Sequence, residues 1–318
     1  MATAIAHPNI ALVKYWGKQT GPGNRPATPS LSITVAGLTT TTRVEAAERD
    51  SVCINGECRR EPKVETLLDA MRDTFDLPPV AIDTRNDFPT GAGLASSASG
   101  FAALVTALDG EFGLGMSSAA RSDWARQGSA SAARSIYGGF ATLAPGDDVW
   151  TGAELQAKDS WPLEVVIAVT EESPKDVSSS QGMERSRTTS PFYHAWCRST
   201  ETDFETACRA VAQHDFESLS DVAEHSCLKL HALMLSSRPG LLYWNEATVA
   251  AIDTVRRLRT AGTPVFFTID AGPQVKAVCA PGHGGGVAAL LARSPGVLRV
   301  VRGQLGDGAR LVGEPPPP

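Results

Sequence analysis

Across its 318 residues the chain lacks any apolar run near the ~20 side chains of a membrane-spanning helix. A membrane partner is therefore not expected. Basic charge is not in excess either. The 29 Lys and Arg against 35 Asp and Glu leave a net charge of −6, and no basic run carries interleaved aromatics, so nucleic acid is an unexpected partner. The first 13 residues hold no Lys or Arg, so a secretory leader is not expected and a cytoplasmic location is. Cysteine is sparse, with six residues at 53, 58, 197, 208, 227 and 279, and no Cys-x-x-Cys. That spacing argues against a zinc site and for buried or incidental thiols. His225 and His231 are six apart, which does not place both on one helical face as i and i+4 would. No internal repeat is visible.

The length suggests two domains, and 42% hydrophobic residues can fill substantial cores. The most distinctive stretch runs from Asp87 to Leu108, where Pro89-Thr90-Gly91-Ala92-Gly93-Leu94-Ala95-Ser96-Ser97-Ala98-Ser99-Gly100 precedes an Ala/Leu-rich helical segment. Glycines let bare N–H groups approach a ligand, and a helix start with its positive dipole end favours a phosphate. An ordinary Gly/Ser loop capping a core helix has the same composition. Neither the Walker pattern nor the dinucleotide Gly-x-Gly-x-x-Gly pattern fits.

Other boxes flank it. Ile5 to Val13 is a candidate strand leading into Lys14-Tyr15-Trp16-Gly17-Lys18, where the two ammonium groups are either a solvated strand end or point charges over an anion. Strands are expected over Ser30–Val35, Thr39–Ala46 and Val52–Ile54, with Asn55-Gly56 as a turn. A helix is expected over Val64–Phe75, a strand over Val80–Thr84, and a helix from Ser117 or Ser118 to Gln127. The segment Gly128-Ser129-Ala130-Ser131-Ala132-Ala133-Arg134-Ser135-Ile136-Tyr137-Gly138-Gly139 sets one arginine among small and hydroxyl residues, suited to bidentate capture of a carboxylate or phosphate. Beyond residue 170 helices are expected near 183–196, 203–213, 216–234, 245–261 and 285–293, with strands at 265–269, 275–279 and 297–301. Asp270 follows an apolar strand and precedes Ala-Gly-Pro. It is either a turn cap or a carboxylate aimed at a substrate hydroxyl.

The loop from Pro89 to Ala98 resembles the phosphate loop of the GHMP superfamily of small-molecule kinases. Five further ordered boxes narrow the resemblance to its diphosphomevalonate decarboxylase branch. They are Lys14–Lys18, Gly128–Phe140, Lys175-Asp176-Val177-Ser178-Ser179, Leu230-His231-Ala232 and Phe267–Lys276. The resemblance implies an α+β, two-domain GHMP kinase fold: a ribosomal protein S5 domain 2-like ATP-binding domain over 1–178 and a ferredoxin-like domain over 179–318. It also implies a homodimer. ATP phosphates would sit on Pro89, Gly91, Ala92, Gly93, Leu94, Ser96 and Ser97, with Mg²⁺ at Ser97. Asp270, Lys14 and Arg134 would be catalytic, and Tyr15, Lys18, Ser129, Ser131, Ser179, Ser180 and His231 would bind a small-molecule substrate.

The implied reaction is ATP-dependent decarboxylation of a 3-hydroxy-3-methyl acid through its 3-phosphate, as in conversion of mevalonate 5-diphosphate to isopentenyl diphosphate. Three departures fall at the substrate end: Ser180 replaces an arginine, Ala133 a serine and Gln274 an asparagine. Losing one charge-assisted contact costs about 1.5–3 kcal/mol. Either Arg185 or Arg187 compensates, or the substrate carries less phosphate. A paralogue acting on a less phosphorylated 3-hydroxy acid, a kinase that stops at the 3-phosphate, and a silent GHMP-fold binding protein are the alternatives.

Overall fold

The computed structural model describes residues 1–21, 23–88, 96–146, 150–173 and 175–313. The first expected strand is two, β1 (Ala2–Ala6) and β2 (Asn9–Val13), because Pro8 between them brings no N–H to a ladder. The break sends them to different sheets. Next come β3 (Ser30–Ala36), β4 (Thr40–Ala46), β5 (Ser51–Ile54) and β6 (Glu57–Cys58). Asn55 and Gly56, both at positive φ, turn β5 into β6, as a two-residue hairpin requires. This hairpin sets Cys53 opposite Cys58, and the two are joined as a disulfide. The expectation of unpaired thiols is thus corrected for this pair, which only the hairpin register brings together.

Helix α1 (Pro62–Arg72), strand β7 (Val80–Asn86), helix α2 (Ser96–Phe112), helix α3 (Ser118–Gly128) and the single turn α4 (Ala132–Ser135) follow. Ser117 caps α3 by accepting from the Ala120 N–H. Strands β8 (Phe140–Pro145), β9 (Trp150–Gln156) and β10 (Glu164–Val169) lie where no element was expected. β10 sits between two neighbours and is buried almost throughout, so it lacks the alternation that marks a half-exposed strand.

The region expected to hold two helices over 183–213 holds α5 (Ser179–Thr189) and α6 (Tyr193–Gln213), parted at Ser190-Pro191. After them come α7 (Phe216–Leu235), α8 (Glu246–Thr260), β11 (Val265–Thr268), β12 (Val275–Cys279), α9 (Gly284–Leu291), β13 (Arg299–Leu305) and β14 (Arg310–Leu311).

One sheet has the order β14-β1-β4-β7-β5-β6, and α1 and α2 cover it through Leu67, Met71, Leu104 and Val105. The other runs β11-β12-β10-β13-β3-β8-β9, with β2 also paired to β3. It draws strands from both sides of residue 178, and β14 returns to pair with β1. Phe266 and Val278 meet Leu219 and Val222 of α7 in one core, while Val255 of α8 and Val287 of α9 pack on Phe267 and Ala277 in another. Among the described residues no helix is long and apolar enough to cross a membrane.

Candidate active site

β2 is fully buried, and the bulge between Ala11 and Val13 in its pairing with β3 ends it pointing into the molecule. Lys14 follows. Its side chain is 2% exposed, and Nζ donates to the Ala11 carbonyl at 2.7 Å and to Asp270 Oδ1 at 2.6 Å. Asp270 comes from the end of β11, where Gly272 N closes a tight turn on the Asp270 carbonyl at 2.7 Å. Across the β11–β12 hairpin Lys276 pairs with Thr268, and its ammonium reaches Asp270 Oδ2 at 3.1 Å. Burial opposes ionisation of Asp270. The two ammonium groups outweigh it and hold the carboxyl well below the usual carboxylate range.

Arg134, on α4, is 2% exposed and bonds neutral partners. Nε donates to Ser32 Oγ at 2.9 Å, one terminal nitrogen to Ser30 Oγ at 2.5 Å, and the other to Asn9 Oδ1 at 3.1 Å. Ser30 and Ser32 are two apart on β3 and so share one face. The Asn9 amide is oriented by its own donors, to the Ser131 carbonyl and Ser135 Oγ at 2.8 Å each. Burial lowers Arg134 to about 10, so it stays charged at neutral pH. The fork has five donors, three of which these bonds use.

Asn9, Lys14, Arg134 and Asp270 share a cavity of about 320 Å³. Lys14, Tyr15, Lys18, Ser129, Ser131, Arg134, Ser179, Ser180 and Asp270 all line it, as expected. Ser96 and Ser97 bring the start of α2 to the same wall, and Lys63 of α1 and Lys175 add two cations. Among its described lining residues five cations, Lys14, Lys18, Lys63, Lys175 and Arg134, face one carboxylate, Asp270. A chain of net charge −6 has therefore concentrated positive charge in one cleft. Such a cavity attracts a small molecule with several negative charges.

Family models match this chain over most of its length: a diphosphomevalonate decarboxylase-like N-terminal domain over residues 6–156 and a mevalonate 5-diphosphate decarboxylase C-terminal domain over 165–292. The chain belongs to the diphosphomevalonate decarboxylase family. It is 34% identical to a diphosphomevalonate decarboxylase of Candida albicans, over 86% of this chain and 82% of that one. It is 32% identical, over 86% of each, to a phosphomevalonate decarboxylase of Haloferax volcanii. A solved structure described as a complex with MVAPP, AMPPCP and magnesium is 35% identical, covers 98% of both chains and superposes with a TM-score of 0.89.

Within this family site His231 is the correction. It does not line the cavity but is 3% exposed behind Asp270, where its Nε2 accepts from the Trp244 indole at 3.1 Å. Its motif is in place; its side chain points into the core. Neither Arg185 nor Arg187 lines the cavity. Arg187 pairs with Glu184 at 2.6 Å, and Arg185 faces a separate cavity with Tyr243 and Asn245. Gln274 is fully buried and bonds Thr170 N at 2.7 Å, so its replacement of asparagine takes no ligand from the cleft. The expected ATP-loop residues Pro89, Gly91, Ala92, Gly93 and Leu94 lie outside the described residues.

Lys63 and the Asn9–Ser30–Ser32 cradle belong to none of the ordered boxes, while Lys175 and Lys276 sit inside them without a role that the sequence assigns. The pattern Ser-x-Ser on a strand was the available signal for the cradle. Gly17 was also passed over: it has a φ of 107°, and a Cβ there would lie 2.1 Å from the Tyr193 hydroxyl. Only glycine lets the chain turn between Trp16 and Lys18.

Lys175 donates to Ser179 Oγ at 2.9 Å and to the Ala271 carbonyl at 2.8 Å. Burial pulls it down to about 8. It is charged below that pH, so KM for an anionic substrate is expected to rise with pH above about 8, by at most tenfold per unit. Lys175→Met should flatten this rise, and an unchanged KM profile in the variant would assign the dependence to another group.

A magnesium ion fits the donor chemistry present. Among the described residues no group of three or more His, Cys, Asp or Glu could hold one, while Ser96 and Ser97 offer hydroxyls at the helix start. Mg²⁺ typically keeps several waters and binds through few protein groups and substrate phosphates.

Proposed function

We propose that the protein is an ATP-dependent decarboxylase that converts mevalonate 5-diphosphate to isopentenyl diphosphate, ADP, phosphate and CO₂. The observation that carries this is a single ionised carboxylate, Asp270, held between Lys14 and Lys276 and facing Arg134 in a cationic cleft.

Asp270 accepts a hydrogen bond from the substrate 3-hydroxyl and aims the hydroxyl oxygen at the γ-phosphoryl group. The bond from that phosphorus to ADP breaks as the new P–O bond forms, and the hydroxyl proton passes to an oxygen of the transferred phosphate. A carboxyl whose pKa is held so low is a weak proton acceptor, so orientation and charge account for its contribution rather than general-base strength. Lys14 balances charge on the transferring group. Ser96 and Ser97 would help hold a nucleotide-borne Mg²⁺, which would neutralise part of the phosphate charge. The free donors of Arg134 hold the substrate carboxylate. In the second step the C3–O bond to phosphate breaks, positive charge develops at C3 beside Asp270, and the carboxylate C–C bond breaks to supply the electron pair of the alkene. Lys18, Lys63, Lys175 and the hydroxyls of Ser129, Ser131 and Ser179 bind the distal phosphate.

Ser180 gives a second reading a specific basis, because it brings a hydroxyl where the family arginine would bring a cation. A substrate with one phosphate fits that loss, and the Haloferax relative is named for phosphomevalonate. Parallel assays of ADP and CO₂ with mevalonate 5-diphosphate, mevalonate 5-phosphate and mevalonate decide between them. The diphosphate is expected to give the highest kcat/KM, and a clear preference for the monophosphate would overturn the first reading. Ser180→Arg is expected to raise kcat/KM for the diphosphate about tenfold, as one charge-assisted contact allows. No gain would place the selectivity in Lys63 and Lys175 instead.

A homodimer, a cytoplasmic location and domains divided near residue 178 belong to the same reading. Light scattering is expected to report twice the chain mass.

A further inference from the structure

Lys14 and Asp270 are 256 residues apart, and their strands, β2 and β11, do not pair with each other. Four strands of the sheet separate them, so no ladder joins the two directly. One direct link is the Thr268 hydroxyl, which donates to the Ala11 carbonyl at 3.1 Å. Helix α7 supplies three more from behind the site. Ser226 Oγ accepts from the Lys14 backbone N–H at 3.0 Å. Cys227, the next residue, accepts from the Ile269 backbone N–H at 3.2 Å and donates back to the Ile269 carbonyl at 3.6 Å. One turn on, the buried His231 ring accepts from the Trp244 indole at 3.1 Å. Positions 227 and 231 share a helical face, and 226 is adjacent.

We propose that Ser226 and Cys227 are positioning residues for the reaction assigned above: α7 fixes the backbones of Lys14 and Ile269 so that the 2.6 Å Lys14–Asp270 contact stands ready before substrate binds. The inference rests on that reaction for its kinetic test. Neither lines the cavity, and both are buried, so neither touches substrate. Burial keeps the thiol of Cys227 up at about 11, and burial followed by the Lys14 charge pushes His231 down to about 3. Both stay neutral across the working pH range and act as fixed bonding groups. A misplacement of about 1 Å at reacting groups can cost ~10²-fold in rate.

The test compares Ser226→Ala and Cys227→Ala with the conservative Ser226→Thr and Cys227→Ser, using mevalonate 5-diphosphate and ATP. Each truncation is expected to lower kcat ten- to a hundredfold with KM for both substrates within about twofold. The conservative variants should recover to within about threefold, and Ser226→Ala with Cys227→Ala should lose less than the product of the single effects. Unchanged kcat with only a lower melting temperature overturns the proposal, as does a loss confined to KM. Should the truncations not fold, Ser226→Cys keeps the volume and weakens the acceptor for the Lys14 backbone N–H. It should lower kcat about threefold, and no change counts against the proposal.

Failure of the assigned reaction shows separately, as no ADP or CO₂ from the wild type. Positioning is then read from the carboxyl ¹³C resonance of Asp270, which in the wild type should stay ionised through the pH range where an ordinary carboxyl takes up its proton. In Ser226→Ala its midpoint should move up towards the ordinary carboxylate range, and an unmoved midpoint overturns the inference.

Discussion

Asp270→Asn is expected to lower kcat at least ~10³-fold while leaving ATP affinity within about twofold. The amide keeps the shape of the carboxylate and deletes its charge. Two consequences follow from the neighbours. The substrate hydroxyl loses its anionic acceptor and the developing charge at C3 loses its counter-ion. Lys14 and Lys276, each 2% exposed at the side chain, are also left facing each other without a partner. An uncompensated buried charge costs about 3–5 kcal/mol, so the variant should melt lower, and Lys276 should surrender its proton first because burial already lowers it. Since the native carboxyl is held below its unfolded value, its stabilising contribution is present above the ordinary carboxylate range. It is lost progressively as pH falls from the ordinary carboxylate range towards the depressed native value. Acid unfolding of the wild type above about pH 5 would therefore have another origin. Steady-state kinetics beside nucleotide titration separates the claims, and residual activity within tenfold of wild type would remove Asp270 from the chemistry.

Arg134→Lys should cost at least ~10² in kcat/KM although it conserves charge. The guanidinium is a planar fork locked by Asn9, Ser30 and Ser32, with two donors left for the substrate carboxylate. An ammonium on a shorter, rotatable stem cannot hold those three partners and the substrate together. It leaves the buried Ser30, Ser32 and Asn9 acceptors partly unsatisfied. ADP and CO₂ should fall together, because a carboxylate that is not held misaligns the 3-hydroxyl as well. ADP outrunning CO₂ would show that Arg134 acts on the second step alone, and activity near wild type would refute the carboxylate role.

Much of the site was legible before folding was considered. Lys14, Lys18, Arg134, Ser129, Ser131, Ser179 and Asp270 were nominated from ordered boxes and do line one cleft. Local chemistry also reads directly: Ser117 and Asn245 cap α3 and α8, and Asn55-Gly56 turns the β5–β6 hairpin. Proline explains two misdrawn boundaries, since Pro8 splits the first strand and Pro191 separates α5 from α6.

The sequence by itself determined residue types, local caps and turns, and the order of the boxes, because these depend on neighbours within a few residues. Only the tertiary structure decided which charges meet. Lys276 reaches Asp270 through antiparallel register, and Asn9 reaches Arg134 across 125 residues. Lys63 enters the cleft from a helix with no motif of its own, while His231, inside a motif, turns away from it. Side-chain direction and long-range pairing come from packing, so the same residue name can be a ligand or a strut. The charge of the cleft is likewise a tertiary fact: the whole chain is acidic, and only folding gathers its lysines around one aspartate.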